Sequence, residues 1–288
     1  MITPGENQHI PQLKKLWELC FPKDSRVFID FYFDKVYRNE AALIYLEEEK
    51  VLASFLIIPY PIKNQEQIKL AGYISGAMTH PDYRGIGIMS KILEYSFVFM
   101  QEKGYEYSFL IPQEEWLFDY YARFGYERAF PSSYIESPFV ETKPQQSNIL
   151  RDKTIRIYNN LTEIDLSDFF ITYSRFLTQN NPVILKTKEQ LSTILEDLFD
   201  EKGNLFTNDW GVAFCLKERS RVLIKEFFYF DQEIKHSFLS VISDYFQTKQ
   251  LLVRTYYSSP STICQGMIKS LTEYTNIPTD IYMSMMLD

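Results

Sequence analysis

Residues 78–90 read MTHPDYRGIGIMS, and Gly85 and Gly87 in this stretch form the only G-x-G of the chain. Before it, Ile68–His80 reads as a long, glycine-containing strand. After it, Gly87–Lys103 reads as a helix with Ile88, Met89, Ile92, Leu93, Phe97, Phe99 and Met100 on its buried stripe. A glycine loop between a strand and a helix can wrap backbone N–H groups around an anion, and the helix N-terminus adds the positive end of its dipole. Arg84 enters the same turn with a charge suited to a phosphate. These residues point to a pyrophosphate; the plainer alternative is a tight turn that binds nothing. Two other phosphate loops are excluded. No G-x-x-x-x-G-K-[ST] occurs, and position 90 is Ser where a G-x-G-x-x-G dinucleotide loop needs Gly.

Outward from the loop, the N-terminal side carries Leu13, Leu16, Trp17, Cys20 and Phe21 at helical spacing up to Pro22. Asp24 or Ser25 then caps a second helix with Phe28, Phe31, Tyr32 and Val36. Residues 41–47 and 51–60 read as a hairpin across the charged turn Glu48–Lys50. On the C-terminal side, Gly104 stops the loop helix, and Tyr105–Ile111 is a strand ended by Pro112. Glu114–Phe124 is a short helix stopped by Gly125, and extended chain resumes at Tyr126.

Residues 136–153 are polar, hold two prolines and lack periodicity, so a linker is placed at 141–153 between a domain at 1–140 and a domain at 154–288. The second half repeats the element order. Helices are read at 165–178 and 187–200, strands at 210–217 and 221–230, a helix at 232–247, a strand at 250–256, a helix near 262–274 and a last strand at 280–287. This order implies a duplication. At the junction that corresponds to the glycine loop, Phe230–His236 has no glycine and two acids, so the second domain reads as a degenerate copy without an anion loop.

Composition narrows the function. The net charge is −8 and neither half has a surplus of Lys and Arg, which disfavours nucleic acid as a partner. Cys20, Cys215 and Cys264 lie far apart and His9, His80 and His236 are scattered, so no metal site and no disulfide framework is expected. No stretch reaches the ~18 apolar residues of a membrane span, and Met1–Lys15 is polar, so no membrane partner and a cytoplasmic location are expected.

The loop resembles that of the GCN5-related N-acetyltransferases (GNAT), whose phosphate loop follows [RQ]-x-x-G-x-[GA] after the fourth strand. Arg84, Gly87 and Met89 take the three positions; Met89 departs from the usual Gly or Ala. Phe118–Tyr126 (FDYYARFGY) resembles the family's second signature, in which an aromatic and a Tyr precede a K/R-x-G-F/Y turn. The two motifs together cover about residues 40–130. The whole chain resembles tandem-domain acetyltransferases of the enhanced-intracellular-survival type, but is too short for their third, sterol-carrier-like domain.

The resemblance implies an α/β (α+β) fold of two tandem GNAT-like domains, each a mixed, mostly antiparallel sheet flanked by helices. It implies acetyl-CoA as co-substrate in a sheet that splays open between the strands at 68–80 and 105–111. The pantetheine then pairs with the backbone of Met78, Thr79 and His80, and a backbone N–H near Met78 polarises the acyl carbonyl. The pyrophosphate sits on Arg84, Gly85, Ile86, Gly87, Ile88, Met89 and Ser90. Tyr121 takes the place of the tyrosine that protonates the leaving thiolate; with an ordinary pKa near 10 it carries a proton at neutral pH. Glu47, His80, Glu114 and Glu115 are weighed as the base, and none is assigned. In the tandem group the terminal carboxylate, here Asp288, can reach the active site. The function expected is direct transfer of an acetyl group to a primary amine on a small molecule or peptide. A non-catalytic acyl-CoA-binding sensor is the alternative, and Tyr121 with the intact Arg84–Gly87 loop counts against it. Oligomeric state, acyl-chain length and acceptor are open at this point.

Overall fold

A computed structural model describes residues 1–137, 154–256, 262–273 and 276–287. The linker expected at 141–153 and the terminal Asp288 lie outside the described residues.

In chain order the first half runs β1 (Ile2–Pro4), α1 (Ile10–Cys20), α2 (Arg26–Lys35), β2 (Ala42–Glu47), β3 (Lys50–Asn64), β4 (Gln67–Thr79), α3 (Ile88–Glu102), β5 (Tyr107–Leu110), α4 (Glu115–Ala122) and β6 (Glu127–Ser137). The second half runs β7 (Arg156–Tyr158), α5 (Leu166–Leu177), β8 (Val183–Ile184), α6 (Lys188–Asp200), β9 (Asn204–Asn208), β10 (Gly211–Glu218), β11 (Arg221–Tyr229), α7 (Gln232–Phe246), β12 (Leu251–Thr255) and β13 (Ile263–Ser270).

Local chemistry sets several of these boundaries. Pro11 opens α1 where its missing N–H costs nothing, and Leu13, Leu16 and Trp17 form the buried stripe. Ser25 caps α2 by accepting from the Phe28 amide at 3.1 Å. Glu48 and Glu49 both take positive φ between β2 and β3, the backbone of a tight hairpin turn that matches the strands' twist.

The chain divides into two compact units. The first comprises Met1–Ala129 and Cys264–Asp280. Its strands follow the order β1-β2-β3-β4-β5-β13, with β4–β5 parallel and the other pairs antiparallel. The second comprises Phe130–Ile263 and Ile281–Leu287, with strand order β6-β12-β11-β10-β9-β7 and β11–β12 as its parallel pair. Each unit therefore has one parallel pair at the corresponding place, just after the helix that follows the third strand of its meander. α3 and α7 are those helices, and each buries one face in its unit's core.

Two sequence expectations are corrected. The helix read near 262–274 is β13, paired antiparallel with β5 through Met267–Leu110 and Ile268–Phe109. Gly266, Met267 and Ile268 are buried in succession, the pattern of a strand covered on both faces, which periodicity does not separate from a short buried helix. The strand read at 280–287 is an extended segment with one parallel bridge, Val183 to Tyr282. The β13 ladder sets Met267–Ser270 beside β5 of the first unit.

β4 carries a bulge. Ser54 pairs with Met78 and Leu56 with Ser75, so β4 spends one residue more than β3 over this step. Gly76 there has φ +62, and a Cβ on it would lie 2.7 Å from the Trp17 ring. Gly76→Ala is expected to destabilise the protein by about 1–3 kcal/mol, from the left-handed backbone and the clash. A urea midpoint equal to that of the parent protein would refute this.

Candidate functional site

The parallel pairing of β4 with β5 covers only Ala71–Ile74 opposite Tyr107–Leu110. β4 continues to Thr79, so among the described residues Ser75–Thr79 have no strand on that side. The bulge sits at the start of this free edge. Ala53 and Thr79 face each other, and the His80 amide donates to Leu52 O at 2.8 Å. That makes Ala53–Thr79 a pair that does not exchange bonds, so the Thr79 N–H and C=O point away from β3, into the opening. The carbonyl accepts from Cys20 Sγ at 3.3 Å and from Arg84 Nε at 3.1 Å.

The loop leaves β4 through a short turn at Pro81–Tyr83, with His80 Nδ1 accepting from the Asp82 amide at 3.3 Å. Arg84 folds back on the strand end; its Nη2 also lies 3.6 Å from Cys20 Sγ. Two of the five guanidinium donors are used in this way, and the residue is exposed. Gly85 and Gly87 take φ +79 and +83, and no atom lies within 4 Å of where a Cβ would stand on either. The space beside the loop is therefore open, and the glycines serve the backbone conformation. Gly87 is the N-cap of α3 and offers no side chain to it. The first i→i−4 bond runs from Lys91 N to Gly87 O, so the amides of Ile88, Met89 and Ser90 precede the helical ladder. Met89, the departure from the family pattern, packs its side chain against the core and leaves the concavity clear. Ile88 is buried, whereas Ile86 stands exposed at the loop tip.

α4 meets this loop through Tyr120, whose hydroxyl lies 3.2 Å from Ser90 Oγ. Tyr121 is buried, its ring edge-on to Tyr120 at 5.1 Å and to Tyr126 at 5.9 Å. Its hydroxyl hydrogen-bonds to no other described residue. Burial, and secondarily Tyr120, raises its pKa far above the ordinary tyrosine value. Tyr126, by contrast, has its hydroxyl satisfied by Ser108 at 2.6 Å.

The acids weighed as bases have structural partners. Glu114 Oε2 accepts from Trp116 Nε1, Glu115 pairs with Arg128, and Glu47 faces Lys50 across the hairpin. The sequence reading missed the Ser90–Tyr120 and Cys20–Arg84 links, which join residues 30 and 64 positions apart and leave no local pattern. Gly76 was the one local signal of the bulge.

At the corresponding place in the second unit, α7 starts differently. Asp231 caps it, accepting from the Ile234 amide at 2.9 Å, and Glu233 stands in its first turn. A carboxylate thus occupies the helix end that α3 leaves open. Among the described residues no group of three His, Cys, Asp or Glu is placed to hold a metal ion, and no helix is long and apolar enough to cross a membrane.

Residues 2–129 match the family described as Acetyltransferase (GNAT) domain. No curated protein matches the chain. Among solved structures, one from Enterococcus faecalis V583 described as a probable N-acyltransferase is similar, with TM-score 0.74 and 12% identity over 94% of this chain and 72% of that one. Eis1 from Mycobacterium abscessus gives TM-score 0.71 and 10% identity over 94% and 74%. A tandem GNAT protein from the clavulanic acid biosynthesis pathway gives 0.51 and 8% over 96% and 99%. The fold is that of the N-acetyltransferases, with tandem and Eis-type proteins among its neighbours.

Proposed function

With a GNAT acetyltransferase domain at residues 2–129 as premise, we propose that this protein moves an acetyl group from acetyl-CoA to a primary amine by direct attack. One observation carries the reading: the free edge of β4 at Ser75–Thr79 runs straight into an open glycine loop and an uncapped helix N-terminus. An extended amide-bearing arm fits the edge, and a pyrophosphate fits the loop. The residues present therefore suit acetyl-CoA.

Acetyl-CoA supplies an acyl thioester with a thiolate leaving group. On the protein side, the outward Thr79 N–H is available to a pantetheine amide. The amides of Ile88, Met89 and Ser90 and the exposed guanidinium of Arg84 serve the pyrophosphate. A backbone N–H beside Met78, at the bulge, polarises the carbonyl. Tyr121 keeps its phenolic proton at working pH because burial opposes the phenolate; it would deliver that proton to the departing sulfur, and the proton lost by the amine nitrogen on amide formation would restore the phenol. Asp231 at the start of α7 argues for one acetyl-CoA per chain, held by the first unit.

The test mixes the protein with acetyl-CoA and a panel of polyamines, aminoglycosides and peptides. Release of free CoA thiol, with an acetylated amine found by mass, is the expected result. Acetyl-CoA binding without transfer to any amine would replace this reading with an acyl-CoA sensor. Absence of binding would remove both.

A further inference from the structure

The second unit opens its sheet at the same place as the first. β11 and β12 pair in parallel only through Val222–Leu251, Leu223–Leu252 and Ile224–Val253, yet β11 continues to Tyr229. In the first unit no strand among the described residues pairs with the matching edge. Here the chain's own C-terminal segment meets side chains of the unpaired part of β11, Glu226 and Phe228. Glu226, on the unpaired part of β11 and fully buried, accepts from Tyr282 and Tyr173 hydroxyls at 3.1 Å each. Arg254 of β12 donates to Met283 O at 3.4 Å and to Ser132 Oγ at 3.2 Å. Lys186 donates to Ser284 Oγ. The Tyr256 and Tyr282 rings are 4.0 Å apart. Two main-chain bonds tie the segment to β8: Tyr282 N to Pro182 O at 2.8 Å and Ile184 N to Tyr282 O at 3.0 Å. Ile281, Met283, Met285 and Leu287 are buried with them.

We propose that residues 281–287 are the built-in occupant of the second unit's cleft, so that this unit is a peptide-binding copy of the fold filled in cis. The cleft fits an extended apolar peptide with a tyrosine whose hydroxyl donates to a buried carboxylate. A buried carboxylate beside two cations and two hydroxyls holds such a peptide because removing Tyr282 leaves Glu226 short of a donor in a dry site. This inference stands on the second unit alone and is independent of the acyl-transfer reading.

Amide hydrogen exchange on the full chain is the first test. The Tyr282 and Ile184 amides are expected to exchange at least about 10³-fold slower than in a free peptide, since both are hydrogen-bonded and buried. Exchange at the free-peptide rate would overturn the proposal. The second test truncates the chain after Asp280 and adds a synthetic peptide of residues 281–288. The truncated chain is expected to melt at a lower temperature and to regain stability with the peptide. A Tyr282→Phe peptide should bind about tenfold more weakly, as loss of a hydrogen bond to a charged group predicts. A truncated chain that melts like the parent and ignores the peptide would also overturn it. If the truncated chain does not fold, Tyr282→Phe in the full chain decides: faster exchange at Ile184 supports the occupant, and unchanged exchange refutes it.

Discussion

Tyr121→Phe is expected to lower turnover about 10²–10⁴-fold, the range by which a positioned proton donor accelerates such steps, and to leave acetyl-CoA affinity close to that of the parent. The environment of Tyr121 makes this a clean measurement. Its hydroxyl has no partner among the described residues, so Phe removes no hydrogen bond, and the ring contacts with Tyr120 and Tyr126 persist. Stability is therefore expected to hold, and a loss of kcat reports on chemistry. The pH dependence follows from the sign of the shift. Burial raises the Tyr121 pKa above its ordinary value near 10. The protonated donor is then fully present below that value and is lost only above it, so activity should not fall between about pH 7 and 10 on account of this group. Tyr120→Phe is the control. It loses the bond to Ser90 in the first turn of α3 and should raise KM for acetyl-CoA more than it lowers kcat. Unchanged turnover in Tyr121→Phe would strip the residue of its role, and a large effect from Tyr120→Phe alone would transfer the role to its neighbour.

The part of the molecule that was legible in sequence is the part built from near neighbours. β4, the glycine loop and α3 lie within residues 67–102, and each boundary has a local cause: Pro81 after the strand, Gly85 and Gly87 at positive φ, the apolar stripe of α3. Met89 looked like a flaw in the motif when only side-chain size could be weighed. Its side chain turns to the core, so the loop keeps its shape. What escaped the sequence is what depends on distant partners. β13 meets β5 more than 150 residues earlier in the chain, and the helical reading of 262–274 had no access to that ladder. Residues 281–287 read as a strand because they are apolar and extended. They meet β8 through one bridge only, and their other neighbours are single side chains such as Glu226, Arg254 and Lys186. The repeated order of elements was visible in the sequence. The ladders add that both copies open beside their parallel pair, and that they differ in what meets the opening.

That difference fixes the second large effect. Gly87→Glu should weaken acetyl-CoA binding at least about 100-fold by calorimetry, for two reasons that act together. Gly87 sits at φ +83, where a side chain costs about 1–2 kcal/mol, so the loop relaxes away from its open form. The new carboxylate also stands at the N-terminus of α3, as Asp231 does at α7, and places a negative charge where the pyrophosphate would lie. Arg84→Ala removes one charge and leaves the backbone cradle, so its loss should be smaller. The parent protein should bind one acetyl-CoA per chain, because the first unit offers an uncapped helix end after its glycine loop and the second caps the matching end with Asp231. Two sites would mean that the second unit accepts the ligand despite Asp231. A single site that survives Gly87→Glu would place acetyl-CoA away from the glycine loop, and the assignment of Arg84–Ser90 would fall with it.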